Sequence, residues 1–343
     1  MILPPPRTLA TDRGDVGLRL DLVLRRHLTD VEAPSRARVQ AWIENGQVAI
    51  NGSTVCRVST RAAPGDIVTV QLPGAEPRRT PAAENVALEI LYEDDYLLAL
   101  DKPAGVVVHP TYRHGAGTLM NALLWHARAW PAGSRPSLVG RLDKLTSGLV
   151  VVAKTAAAHA ALQKEMASSR SEKDYLAVVY GRVNVASGEI ALGLGHDRSD
   201  RRRIVADENG AASVTSFTRL GRAGELSLLR CRLVTGRRHQ IRVHLAARGW
   251  PIAGDPVYRT SGTPGQQPSP NVHDVAVAEK LRGFPRQALH AWRVAFTHPV
   301  TRGRVQIEAP VPDDISSLLA ASGLAPLFQA VIDRDHGRYP FTT

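Results

Sequence analysis

Residues 73–85 open with Pro73-Gly74-Ala75-Glu76-Pro77-Arg78-Arg79-Thr80-Pro81, a proline-rich polar stretch with the period of neither a helix nor a strand. Proline removes backbone donors, and no apolar face can form here, so a hydrophobic core cannot run through this stretch. The chain is therefore expected to fold as separate bodies: a small module over 17–73, a linker over 74–85, a larger domain over 86–310, and a tail over 311–343. A length of 343 residues agrees, since one domain typically takes about 150.

In the first body Leu20, Val23, Leu24 and Leu28 recur at helical spacing. Ser35 reads as the N-cap of a second helix that carries Val39, Trp42 and Ile43 and stops at Asn45-Gly46. Val48-Ala49-Ile50 then reads as a strand and Asn51-Gly52 as a hairpin turn, and after Pro64-Gly65-Asp66 the residues Val68, Val70 and Leu72 alternate with polar ones. The result is a compact α/β module. Arg25, Arg26, Arg36 and Arg38 lie off its apolar stripe, where they form either one basic face or an ordinary solvated surface.

Beyond the linker short strand-like runs dominate: Leu88 to Leu91, Leu97 to Leu100, Leu149 to Ala153, Leu176 to Val179, Leu226 to Leu233 and Val305 to Ile307. Helical segments near Thr118 to Ala129 and Ala156 to Ala167 interrupt them. This mixture predicts an α+β domain on a mixed or antiparallel sheet with flanking helices. Ser261 to Pro270, rich in Gly, Pro and Gln, reads as an inserted surface loop. The tail offers one weak helix, Ile315 to Ala321, and no recognisable chemistry.

Charge narrows the partners. The net charge is +11, carried by 37 arginines and only six lysines, which points to an anionic polymer or surface, nucleic acid first. Arginine's planar fork suits phosphate and base stacking, although codon bias could also set the Arg/Lys ratio. Two cysteines, Cys56 and Cys231, can build neither a disulfide framework nor a Cys-rich zinc site. No run approaches 18 apolar residues, and no basic-then-apolar leader is visible, so a cytoplasmic protein without a membrane partner is expected.

Three segments could carry chemistry. The first is Gly140-Arg141-Leu142-Asp143-Lys144-Leu145-Thr146-Ser147-Gly148, which sets an aspartate in a polar loop just before a buried strand, where functional loops commonly sit. Alone, Asp143 reads as a turn or capping residue. Ser147 is no hydrolase nucleophile, because Leu145 occupies the position where the nucleophile elbow needs glycine. The second segment, Thr235 to Gly249, reads as a helix opening after Gly236 and ending at Gly249. Arg237, Arg238, His239 and Arg242 crowd its start, where the helix dipole disfavours cations by about 0.3 to 1 kcal/mol each. An RNA phosphate or a buried carboxylate should therefore lie there, and Arg238 and Arg242, four apart, could converge on it; a solvated basic helix start is the plainer alternative. His239 and His244 stand about 140° apart on a helix and no HExxH is present, so no metal site is expected. The third segment, Glu172 to Gly181, reads as a strand entered by Tyr175, by itself an ordinary core tyrosine.

Taken in order, these segments resemble the RluA-type family of RNA pseudouridine synthases. The resemblance rests on Leu100-Asp101-Lys102-Pro103-Ala104-Gly105-Val106 with His109-Pro110, on Arg141-Leu142-Asp143 through Thr146-Ser147-Gly148, and on Lys173-Asp174-Tyr175. It continues in Gly236-Arg237 with His239-Gln240-Ile241-Arg242-Val243-His244-Leu245, Gly254-Asp255-Pro256-Val257-Tyr258, Leu289-His290-Ala291 and His298-Pro299. Arg19-Leu20-Asp21, Ser35-Arg36, Gly46-Gln47-Val48 and Ile50-Asn51-Gly52 likewise resemble the small RNA-binding module first known from a small-subunit ribosomal protein.

The resemblance implies that Asp143 is the catalytic carboxylate, Arg242 its ion-pair partner, Tyr175 the aromatic stacked on the target uracil, and Arg141 the side chain that helps displace the flipped nucleotide. Arg237, Arg238, His239 and Gln240 would meet RNA or base. It also implies isomerisation of uridine to pseudouridine in structured RNA, ribosomal RNA of the large subunit before tRNA, with no cofactor, no metal, no obligate protein partner and a monomeric enzyme. A carboxylate in a dry pocket needs a cation to offset its desolvation, and a flipped base needs a stacking partner. Gly140 and Arg238 depart from the family, which commonly has His and Thr there. A tRNA-directed synthase and a non-catalytic RNA-binding or ribosome-assembly factor of the same fold are the alternatives. A zinc deaminase is excluded by the missing HxE and PCxxC ligands.

Overall fold

The computed structural model describes residues 5–28, 36–72, 81–110, 115–200, 203–258, 277, 279, 281 and 283–338. Ser35, most of the expected linker and the expected insertion at 261–270 lie outside the described residues. The chain divides into two compact units, Met1–Thr80 and Pro81–Thr343.

In the smaller unit, α1 (Leu20–His27) and α2 (Arg36–Glu44) accompany β1 (Arg7–Ala10), β2 (Val48–Ile50), β3 (Ser53–Thr54) and β4 (Ile67–Val70), with strand order β1-β4-β2-β3. Leu20, Leu24, Leu28, Val39, Trp42 and Ile43 pack with Val48, Val68 and Val70, so the helical and alternating apolar patterns converge on one core. Asn51 (φ 50°) and Gly52 (φ 81°) make the tight turn that their sequence predicts. β1 was not expected: it precedes the anticipated start and pairs along Arg7–Ala10 with β4.

The larger unit is built on an eleven-stranded sheet. Its strands are β5 (Glu89–Glu93), β6 (Leu97–Lys102), β7 (Ser137–Leu138), β8 (Ser147–Ala153), β9 (Glu172–Tyr180), β10 (Ser187–His196), β11 (Ile204–Ala206), β12 (Ala211–Ala223), β13 (Leu226–Leu233), β14 (Leu289–Thr297) and β15 (Arg304–Glu308). The order is β11-β10-β12-β13-β9-β14-β8-β6-β5, with β15 on β14 and β7 on β8. β14 runs parallel to β8, and the neighbouring pairs are antiparallel, so the sheet is mixed as expected.

Helices cover it: α3 (Leu119–His126), α4 (Ala156–Met166), α5 (Gln240–Ala247), α6 (Asp313–Ala321) and α7 (Ala325–Arg338). One core gathers β6 and β8 with α3 and α4, and the other gathers β9 and β13 with α5. Ile315, Leu318, Leu319, Leu324 and Phe328 belong to the second core, so the two tail helices, of which the sequence showed one, are packed into this unit. No single helix among the described residues is long and apolar enough to cross a membrane.

One close approach fixes the centre of the sheet. Gly148 has φ 110° and lies so near β14 that a β-carbon would strike the Ala291 backbone, so only glycine fits. Ala291 in turn pairs with Gly148 on one side and Tyr175 on the other. The loop leading into β8 and the tyrosine of β9 are thereby held at one level, one strand apart.

Candidate active site

Asp143, Tyr175, Arg242, Arg141, Arg237, Arg238, His239 and Gln240 all line one cavity of about 630 Å³. Three elements deliver them: the loop before β8, the start of β9, and the segment entering α5.

Asp143 sits in a turn closed by Thr146 N–H donating to its carbonyl at 3.1 Å. Its side chain is 19% exposed. Arg242 Nη1 donates to Asp143 Oδ2 at 2.9 Å. The rest of that guanidinium belongs to Asp255: Nε reaches Oδ2 at 2.7 Å and Nη2 reaches Oδ1 at 2.9 Å, a two-pronged pairing that fixes the plane of the fork. Asp255 is fixed in turn by the amides of Val257 and Tyr258, and the Tyr258 ring lies 4.8 Å from the guanidinium. Burial opposes charge on Arg242, but the two carboxylates outweigh it and raise its pKa well above the ordinary arginine value.

The second segment departs from its expected form. α5 begins at Gln240, not after Gly236, because His239 takes a left-handed backbone (φ 54°) that breaks the helical path. Arg237 and Arg238 therefore precede the helix and are exposed, and Arg238 does not share a helix face with Arg242. The negative partner expected at the helix start is present as Asp143 and Asp255.

His239 Nδ1 lies 2.7 Å from the Tyr258 hydroxyl, and Nε2 stands 3.7 Å from Asp143 Oδ1. Burial pushes the imidazole down to about 4, against the pull of Asp143, so it is neutral near pH 7. The Tyr258 oxygen accepts from Ile204 N–H; if its proton goes to Nδ1, the proton of His239 sits on Nε2, facing Asp143.

Gln240 is turned inward. Its Oε1 accepts from Thr235 Oγ1 and Arg237 N–H, and its Nε2 donates to Val214 O and Thr215 Oγ1. At 2% exposed, it shapes the loop and leaves no free group for RNA. Tyr175 is half-buried; desolvation, with Asp143 nearby, raises its phenol far above the ordinary value, so it stays a neutral ring. Arg141 is exposed at the rim.

In the smaller unit the four arginines divide. Arg25 and Arg38 are exposed. Arg26 bonds Asp12 and Asp15 at 2.6 and 2.7 Å, and Arg36 bonds Asp21 at 3.2 Å, so these two also brace their own fold.

The sequence reading missed the work of Asp255 and Tyr258, although both stand in a quoted motif: what marks them is a pairing across the fold. The same holds for Lys102, also in a quoted motif, whose buried Nζ donates to the carbonyls of Pro103, Val106 and Lys144. Burial, with Arg286 nearby, brings its pKa down to about 8.

An α+β sheet of this topology, a carboxylate and a clamped arginine in one cavity, and a separate small α/β module together narrow the class. The model of the family described as RNA pseudouridylate synthase matches residues 96–247, and that of the S4 domain matches residues 18–68. The "Ribosomal large subunit pseudouridine synthase D" of Nitrosomonas europaea is 40% identical over 89% of this chain and 84% of its own. "Uncharacterized RNA pseudouridine synthase YlyB" of Bacillus subtilis is 39% identical over 83% and 88%. Among solved structures, "Human RNA Pseudouridylate Synthase Domain Containing 4" shares the fold with TM-score 0.56 at 22% identity, covering 68% of this chain and 93% of that one. The chain belongs to the RNA pseudouridine synthase family, with an S4 domain at its N-terminus.

Proposed function

We propose that the protein converts uridine to pseudouridine in large-subunit ribosomal RNA, acting as a cytoplasmic monomer with Asp143 as the catalytic carboxylate. The observation that carries this is the asymmetry of Asp143. Oδ2 is held by Arg242, while among the described residues Oδ1 has no partner closer than His239 at 3.7 Å, and Asp143 lines the cavity. One oxygen is positioned and the other is left for a nucleotide.

The reaction breaks the bond from N1 to C1′, turns the uracil, joins C5 to C1′, and moves a proton from C5 to solvent while N1 gains one. Atoms and electrons balance within the nucleotide. Asp143 acts on the nucleotide and later assists loss of the C5 proton. Tyr175 offers its ring to the flipped uracil, and Arg141 occupies the space that the base vacates, offsetting part of an unstacking cost of a few kcal/mol. Arg237 and Arg238, exposed at the rim, and Arg25 and Arg38 in the S4 domain meet phosphate. The names of relatives at about 40% identity support large-subunit RNA as the substrate.

The test is release of tritium from uridine C5 in three RNAs: large-subunit rRNA, small-subunit rRNA and total tRNA. Release from large-subunit rRNA alone is expected. Release confined to tRNA would overturn the substrate, and no release from any of them would overturn the activity.

A further inference from the structure

The loop bearing Asp143 is gripped from behind by groups distant in sequence. Arg286, 4% exposed, sends Nη1 to the carbonyls of Leu145, Gln287 and Leu289 at 3.3, 3.2 and 3.4 Å. Its other two donors are taken by Asp314 of α6, Nε to Oδ2 at 2.6 Å and Nη2 to Oδ1 at 2.8 Å. Gln287 Nε2 donates to Thr146 Oγ1 at 3.1 Å, and His290 Nδ1 lies 3.0 Å from Ser147 Oγ. Residues 145, 146 and 147 are thus each met by one member of the 286–290 segment.

The same segment also reaches the other half of the ion pair. Gly254 (φ 72°) lies so close to it that a β-carbon there would collide with the Arg286 carbonyl. Ala288 N–H donates to Ala253 O at 2.8 Å. Asp255, the residue after Gly254, is what fixes the Arg242 fork. Arg286 therefore touches the Asp143 loop through its side chain and the Asp255 turn through its backbone.

We propose that Arg286 and Asp314 are positioning residues for the Asp143–Arg242 pair, so that one side chain of α6, the first of the two tail helices, helps to hold the catalytic geometry. A buried guanidinium without a counter-charge is costly to keep in place. Asp314 supplies that charge and orients the fork so that the remaining nitrogen meets the loop. Burial alone would raise the Asp314 pKa, but the Arg286 hydrogen bonds bring it below the ordinary carboxylate value. Reactive geometry is sensitive to small displacements: about 1 Å can cost about 100-fold. A loop released from Arg286 should thus still bind RNA but turn it over slowly. This inference rests on the reading of Asp143 as catalytic.

The experiment compares single-turnover tritium release and RNA affinity for wild type, Asp314→Asn, Asp314→Glu, Asp313→Asn and Asp143→Asn in the full chain. Asp313 is exposed and shares the first turn of α6, so its variant reports on the helix dipole alone. Expected are a fall of about 10- to 100-fold for Asp314→Asn, affinity unchanged, most of the rate regained in Asp314→Glu, and Asp313→Asn at the wild-type rate. A wild-type rate in Asp314→Asn, an equal loss in Asp313→Asn, or rate and affinity falling together would overturn the proposal. Should Asp314→Asn fail to fold, Arg286→Lys decides, because it keeps the charge and loses the fork that meets both Asp314 and the loop: a folded protein with a lowered rate and intact affinity supports the role, and a wild-type rate overturns it. Persistent activity in Asp143→Asn would instead sink the reading beneath it, whatever Asp314 does.

Discussion

Two aspartates line the same cavity and both face arginine, yet their surroundings differ in kind. Asp174, near the start of β9, has a fully buried side chain and accepts from Arg232 at 2.7 and 2.9 Å and from Arg293 at 3.0 Å. Burial would raise its pKa, but the two arginines bring it below the ordinary value. Asp143 has one arginine on one oxygen and keeps partial exposure. Asp21 in the S4 domain repeats the closed arrangement, with its carboxylate met by Arg19, Arg36 and Gln40. The same pair of residue types builds a strut where every acceptor is filled and a site where one is left open.

The largest effect on stability is expected at the strut. Asp174→Asn leaves the buried Arg293 short of charge, and breaking such a pair costs about 3–5 kcal/mol. Thermal melts should show a clear drop, while turnover measured well below the transition stays close to wild type. An unchanged melting temperature would mean that the closed cluster contributes little.

An effect smaller for each single residue separates three histidines held neutral by desolvation from the carboxylates. Burial pushes His239, His244 and His290 down to about 4 in the folded protein, whereas an unfolded chain takes up a proton near 6.5. Between those values the unfolded state binds more protons, so stability falls as pH drops from about 6.5 towards 4, by up to about 1.4 kcal/mol per pH unit for each histidine. Asp174 and Asp21 are held below 3.8, and their contribution is lost only at lower pH. Urea midpoints taken from about pH 7 to pH 5 should decline steadily, and a flat profile would contradict neutral burial of these rings.

The same contrast explains what the sequence could reveal. Strands with unbroken apolar runs were legible, and Leu226–Leu233 was placed to the residue. β10, SGEIALGLGH, and β12, AASVTSFTRLGRA, were not. Glycine, alanine and serine interrupt their apolar residues, so neither shows a continuous apolar run, and pairing of β10 with β11 and β12, and of β12 with β13, makes them strands. The start of α5 was misplaced because a left-handed His239 has no local signature. The ordered motifs singled out Asp143, Tyr175 and Arg242, and the fold gathers all three at one cavity. The residues that brace them, Asp255, Arg286 and Asp314, act through contacts 13 to 141 positions away in sequence, and no periodicity records such contacts.

Asp143, the open member of this set, is put to its hardest test by Asp143→Asn. Tritium release from large-subunit rRNA should fall by about 10²- to 10⁴-fold, with melting temperature and RNA affinity close to wild type. Release that persists, or a loss of stability as large as that of Asp174→Asn, would contradict that reading.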